Sequence, residues 1–146
     1  MASIKGFLTQ DHRDIDEFFT SMENQANDDI KSAKDAYVKF AFELEKHLQM
    51  EEKVMFLEFE NATGMTQGPT QMMRMEHNQM RELVAQMQNA LNAEDKNMFF
   101  SISETLMMLM QQHNMKEEQM LYPMAEQHLN PQSDRIMDMM QSIVVD

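Results

Sequence analysis

Six side chains in this sequence have the chemistry and the spacing to hold a pair of metal ions: His12, His47, Glu51, His77, His113 and Glu117. Four of the five histidines fall among apolar residues at helical spacing. His12 is in step with Leu8, Ile15 and Phe19, and His47 with Phe40, Leu44 and Val54. His77 is in step with Met73, Met80 and Val84, and His113 with Leu106, Leu109, Met110 and Met120. Residues three, four and seven apart share a helix face, so these imidazoles are expected to point inward. Glu51 follows His47, and Glu117 follows His113, by one helical turn on the same face. A buried carboxylate without a partner is costly, and no Lys or Arg is clearly placed on those stripes. Two metal ions would compensate both carboxylates at once. A lone histidine on such a face is ordinarily a core residue bonded to a carbonyl or water. Four at one level, with two carboxylates, call for another explanation.

Whether they share a level depends on the elements that carry them. Hydrophobic periodicity predicts four long helices, at about Ile4 to Gln25, Ser32 to Glu60, Thr70 to Leu91 and Lys96 to His128. An irregularity is expected at Pro123 in the last of these. A short fifth helix is expected at about Ser133 to Val144, covering one end of the bundle or serving a partner chain. The breaks are short and polar, at Asn61-Ala62-Thr63-Gly64, Gly68-Pro69 and Asn92-Ala93-Glu94-Asp95. Short connections make neighbouring helices antiparallel, which gives an all-α, up-down-up-down four-helix bundle over about residues 4–128 of a single domain spanning 1–146. Equal distances from a connecting turn then mean equal heights. Counted from turns near Asp29, Thr63 and Glu94, the four histidines match to within about one to three Å at ~1.5 Å rise per residue. Glu51 and Glu117, on parallel helices, are both displaced ~6 Å in one direction from that layer.

Composition agrees and excludes alternatives. Three glycines and three prolines are too few for a turn-rich β fold. A net charge of −13 argues against nucleic acid and anionic membrane surfaces. No apolar run is long enough to span a bilayer, and Met1 to Phe7 lacks the apolar stretch of a secretory signal. With no cysteine, thiolate sites and disulfides are excluded, and a soluble cytoplasmic protein is expected. The 20 methionines read chiefly as adaptable core filler. Cu(I) handling by Met72, Met73 and Met75 is the alternative, although neighbours on a helix point in different directions.

The order His12, His47-Leu-Gln-Met-Glu51, Glu76-His77, then His113-Asn-Met-Lys-Glu117-Glu118-Gln-Met-Leu-Tyr-Pro resembles the hemerythrin-like, HHE cation-binding family. The resemblance covers about residues 4–128, and the fourth-helix run is its most specific part. It implies a non-haem diiron centre of two oxo- or hydroxo-bridged iron ions. Glu51 and Glu117 would bridge, with His12 and His47 on one iron and His77 and His113 on the other. The same ligands also suit manganese and zinc. The sequence departs from the oxygen carriers of that family, which place a further histidine one turn before the third-helix histidine; here that position is Met73. Carriers also end the last motif in Asp at a longer spacing than Glu117. The pattern is closer to members with four histidines and two glutamates, including those implicated in repairing iron centres under nitrosative stress. Those have a cysteine-containing N-terminal segment, so the likeness is to their bundle alone.

The functions expected are O₂ or NO binding for sensing, transfer or detoxification, as a monomer or homodimer and as a binding protein rather than a dedicated enzyme. Iron storage, sensing, delivery or iron-centre repair is the second reading, and a diiron oxidase or peroxidase the third. His128 is expected at the surface. Glu52, Glu76 and Glu118 are expected to face solvent or to support the ligands from outside. Tyr37 and Tyr122 fall off the ligand faces and are given no role.

Overall fold

The computed structural model describes residues 2–146, which form an all-α bundle with no strand among them. Helix α1 (Ile4–Asp28) is capped by Ser3, whose hydroxyl accepts from the Gly6 N–H. Asp29 then caps a tight turn at Ile30–Ala33 through the Lys31 N–H. The second rod of the bundle is α2 (Lys34–Met50), a widened turn at Glu51–Met55, and α3 (Phe56–Thr63). It stops at Gly64, whose φ of 74° is the left-handed cap that glycine adopts freely. Helix α4 (Pro69–Asn92) begins on its proline, the helical position that needs no N–H donor. The fourth rod is α5 (Lys96–Lys116), a second widened turn at Glu117–Leu121, and α6 (Tyr122–Leu129). A short turn at Asn130–Gln132 leads into α7 (Ser133–Gln141).

Rods one with two, and α4 with α5, pack along their lengths, and α6 closes back onto α1 and α3. The four predicted rods are present, with ends shifted by a few residues. The fifth helix stops at Gln141, short of the expected Val144, which is exposed. It lies across the end of the bundle, with Ile136, Met137 and Met140 buried against Ile4, Val54 and Met55. No helix among the described residues is long and apolar enough to cross a membrane.

Two apolar clusters fill the interior. One holds Phe19, Phe40, Leu44, Met87, Phe99 and Leu106; the other holds Leu8, Phe56, Phe59, Met73, Tyr122 and Ile136. Nine methionines are buried in the two clusters, as expected of core filler, while seven others are exposed. Met73 is buried while Met72 and Met75 are exposed, so those three thioethers do not converge.

One residue of the expected stripes sits elsewhere: Met120 is exposed by 63%. The cause is the widened turns, in which Phe56 N–H donates to Glu51 O and Tyr122 N–H to Glu117 O, five residues apart instead of four. Each turn absorbs one extra residue, so every later position falls one place behind regular α spacing. Leu121, not Met120, therefore follows His113 into the core. Pro123 lacks an N–H and crowds the carbonyl four residues back, which suits an opened turn beside it. The matching turn in the second rod has no proline. The feature both share is a buried glutamate at the first position.

Candidate metal centre

Between the two apolar clusters lies a polar layer made by all four rods. His12 (α1), His47 (α2), His77 (α4) and His113 (α5) are each no more than 3% exposed, and Glu51 and Glu117 are fully buried. The structure thus brings together all six residues singled out by the sequence. They form two groups, His12, His47, Glu51 and Glu117, and Glu51, His77, His113 and Glu117. Within each group one donor atom per residue lies within 4.8 Å of the others, and both carboxylates belong to both groups. The imidazoles pair accordingly, with ring centroids 4.6 Å apart for His12 and His47 and 5.0 Å for His77 and His113.

Each histidine is held from outside by a carboxylate on its Nδ1. Asp11 lies 2.7 Å from His47, Glu52 2.7 Å from His77, Glu76 2.7 Å from His113 and Glu118 2.8 Å from His12. A carboxylate accepts, so Nδ1 keeps its proton and Nε2 turns inward, the orientation that offers a lone pair to a cation. These contacts form a closed ring: rod one holds the histidine of rod two, two holds three, three holds four, and four holds one. Every holder is the chain neighbour of a residue in the inner six. Glu52, Glu76 and Glu118 therefore support from outside rather than face solvent, while Asp11 was not foreseen. An acid next to His12, as next to Glu51, His77 and Glu117, is its signal in the sequence. Arg81 clamps Glu52 and Glu45 with four hydrogen bonds of 2.9–3.0 Å, and Lys116 pairs with Glu76. Among the described residues no Lys or Arg pairs with Asp11 or Glu118.

The exclusion of Tyr122 from the site is corrected by the structure. Its hydroxyl is fully buried and donates to Glu51 Oε2 at 2.6 Å; it lies 3.0 Å from Glu117 Oε1 and 3.1 Å from His12 Nε2. Regular α spacing carries a residue five beyond Glu117 off the site, but the widened turn returns it. Tyr37 is elsewhere and donates to the Val84 carbonyl at 2.7 Å. His128 is exposed, as expected, with its ring edge against Phe59.

The donor set fits a cation. His47 Nε2, His113 Nε2 and Glu117 Oε2 are buried with no hydrogen-bond partner. The two nitrogens approach carboxylate oxygens at 3.4 and 3.2 Å without hydrogen-bond geometry. Orphaned buried polar atoms are rare, and each carries a desolvation cost of ~1–3 kcal/mol. Cations between the imidazoles and the carboxylates would satisfy all three.

The profile of the hemerythrin HHE cation-binding domain matches residues 4–125. The chain belongs to this family. The matched span takes in all four rods, the whole inner layer and Tyr122, and ends before α7. Comparison with curated proteins and with solved structures gives no match.

In this hemerythrin-family bundle the electrostatics are those of a site prepared for positive charge. Burial alone would lower the imidazole pKa of His47, yet the charge of Glu51 and the bond to Asp11 hold it well above its usual value. Burial likewise opposes the charged form of His77, and the bonds to Glu51 and Glu52 outweigh it. His113 is raised to about 9, Glu117, Glu51 and Glu76 overcoming the burial. Burial would raise Glu51, but His47, Glu117 and His77 keep it well below the carboxylate range. The Tyr122 phenol is pushed well above its usual value by burial and by the charges of Glu117 and Glu51.

Proposed function

We propose that this chain is a non-haem diiron protein that binds dioxygen or nitric oxide, for sensing, transfer or detoxification. The observation that carries the reading is the pair of buried donor groups sharing both carboxylates. In it, His12 and His47 hold one iron, His77 and His113 the other, and Glu51 and Glu117 span the two. A shared pair of carboxylates keeps two like charges close by offering each an anionic oxygen. Ring nitrogens and carboxylate oxygens together are donors that suit iron. When bound, such a pair supplies a redox-active centre for a small ligand. The chain's own residues orient the imidazoles, through the ring of outer carboxylates, and exclude bulk water, through the apolar clusters on either side.

Small size and apolarity of the free space favour a diatomic ligand. A cavity of about 10 Å³, the size that takes a single water, lies against His12, His47 and His113. Its other walls include Ile15, Leu44, Leu48, Met80 and Met110. A cytoplasmic location suits a metal site built without cysteine. The test is anaerobic titration of the iron-loaded, reduced protein with each gas, followed by absorption. A saturable spectral change at one equivalent per iron pair is expected. No change with either gas would sink the gas-binding reading. Rapid loss of iron to a mild chelator, in its place, would favour iron delivery.

A further inference from the structure

The two donor groups correspond residue by residue, His12 with His77 and His47 with His113 about the shared Glu51 and Glu117, and the aromatic rings beside them differ by one oxygen. Phe56 follows Glu51 and Tyr122 follows Glu117 by the same five residues, each as the residue that closes a widened turn. Phe56 stacks on His77 with centroids 5.5 Å apart and an interplanar angle of 25°; Tyr122 stacks on His12 at 5.6 Å and 25°. The two rings occupy equivalent places on opposite halves of the site. Only Tyr122 has an oxygen there.

We propose that the Tyr122 hydroxyl is a fifth protein ligand, held by the metal of the His12 and His47 half, and that the two metals are thereby inequivalent. The inference rests on the diiron reading and deepens it. Its support is geometric. The hydroxyl oxygen is 2.6 Å from Glu51 Oε2, 3.0 Å from Glu117 Oε1 and 3.1 Å from His12 Nε2, an atom from each of three members of that group. Neighbouring donors on an octahedral ion with bonds of ~2.1 Å stand ~3.0 Å apart. The oxygen is therefore spaced from the other donors as one more donor would be. The tyrosine is fully buried, and its ring is fixed by the second apolar cluster. Coordination forms the metal–oxygen bond as the O–H bond breaks, and the proton leaves to solvent.

The consequence concerns where a small ligand enters. On the other half Phe56 offers no donor, and Met73, one turn before His77, is buried among apolar side chains. The His77 and His113 half therefore has fewer protein ligands and the position open to exchange, which the small cavity borders at His113.

The test loads the full chain with ferric iron and records absorption and resonance Raman spectra for the wild type, Tyr122→Phe and Tyr37→Phe. The chain has only these two tyrosines, so the assignment is closed. Expected is a visible phenolate-to-iron band with tyrosine ring vibrations, present in wild type and Tyr37→Phe and abolished in Tyr122→Phe. Two irons per chain without that band in wild type, or with the band surviving in Tyr122→Phe, would overturn the ligand assignment while leaving the diiron reading intact. A chain that takes up no iron overturns both. Should Tyr122→Phe fail to hold iron, ring-deuterated tyrosine in the wild type and Tyr37→Phe decides. Shifted vibrations in both support the assignment, and unshifted ones end it.

Discussion

An imidazole gives a metal its lone pair only when its other nitrogen keeps the proton, and in this bundle four carboxylates enforce that choice. Asp11 is the cleanest case, because among the described residues its ion-pair partner is His47 alone. Asp11→Ala should leave the helices formed and weaken metal binding by roughly 10- to 100-fold, the usual cost of losing such a support. Competition with a chelator of known affinity measures it. Glu51→Ala should cost more, since each proposed iron loses an oxygen donor and only Glu117 is left to screen the two cations from each other. Loss of one or both irons with an unchanged far-ultraviolet spectrum is expected, and full retention of both would contradict the proposed bridge. The inner six residues were legible in the sequence because their burial and height follow from helix pitch alone. The outer four were half-legible. Adjacency in sequence points a side chain about 100° from its neighbour. Only the packing of the next rod shows that this direction leads to another histidine, and not to water.

The elements explain both what periodicity revealed and what it hid. Four long rods and a short fifth follow from apolar spacing and from Gly64, Pro69 and the polar break at Asn92 to Asp95. The widened turns at Glu51 and Glu117 do not, because a regular 3.6-residue repeat has no place for an extra residue. Regular spacing puts Met120 inward and Tyr122 off the ligand faces for that single reason; in the structure Met120 is exposed and the Tyr122 hydroxyl reaches the site. Gly64 makes a separate prediction for the second rod. Nothing lies within 4 Å of a Cβ added there, so Gly64→Ala is opposed only by its φ of 74°. A loss of about 1 kcal/mol in stability is expected, with no change in metal content. A denaturant titration that shows no loss would mean that the chain ends α3 by another route.

At the scale of the whole molecule, the site ties stability to pH and to metal. In the metal-free chain the raised imidazoles of His47, His77 and His113 contribute stability that is complete below their unfolded value of ~6.5. It is lost as pH rises through the folded values, about 9 for His113. Glu51, held low, contributes stability that is present above ~4.3 and lost as pH falls. The metal-free protein should therefore melt highest at about pH 5 to 6.5 and progressively lower towards pH 9. Metal binding must displace those imidazole protons, so its stabilisation should grow over the same range. Thermal melts with and without chelator check both signs.

The most direct test of the central claim is the number of irons per chain after anaerobic reconstitution and desalting, by mass spectrometry of the intact folded protein. Two irons in the wild type, falling to one or none in Glu51→Ala, is the result expected of two ions sharing Glu51 and Glu117. A single iron, or two retained when both glutamates are replaced by alanine, would contradict it.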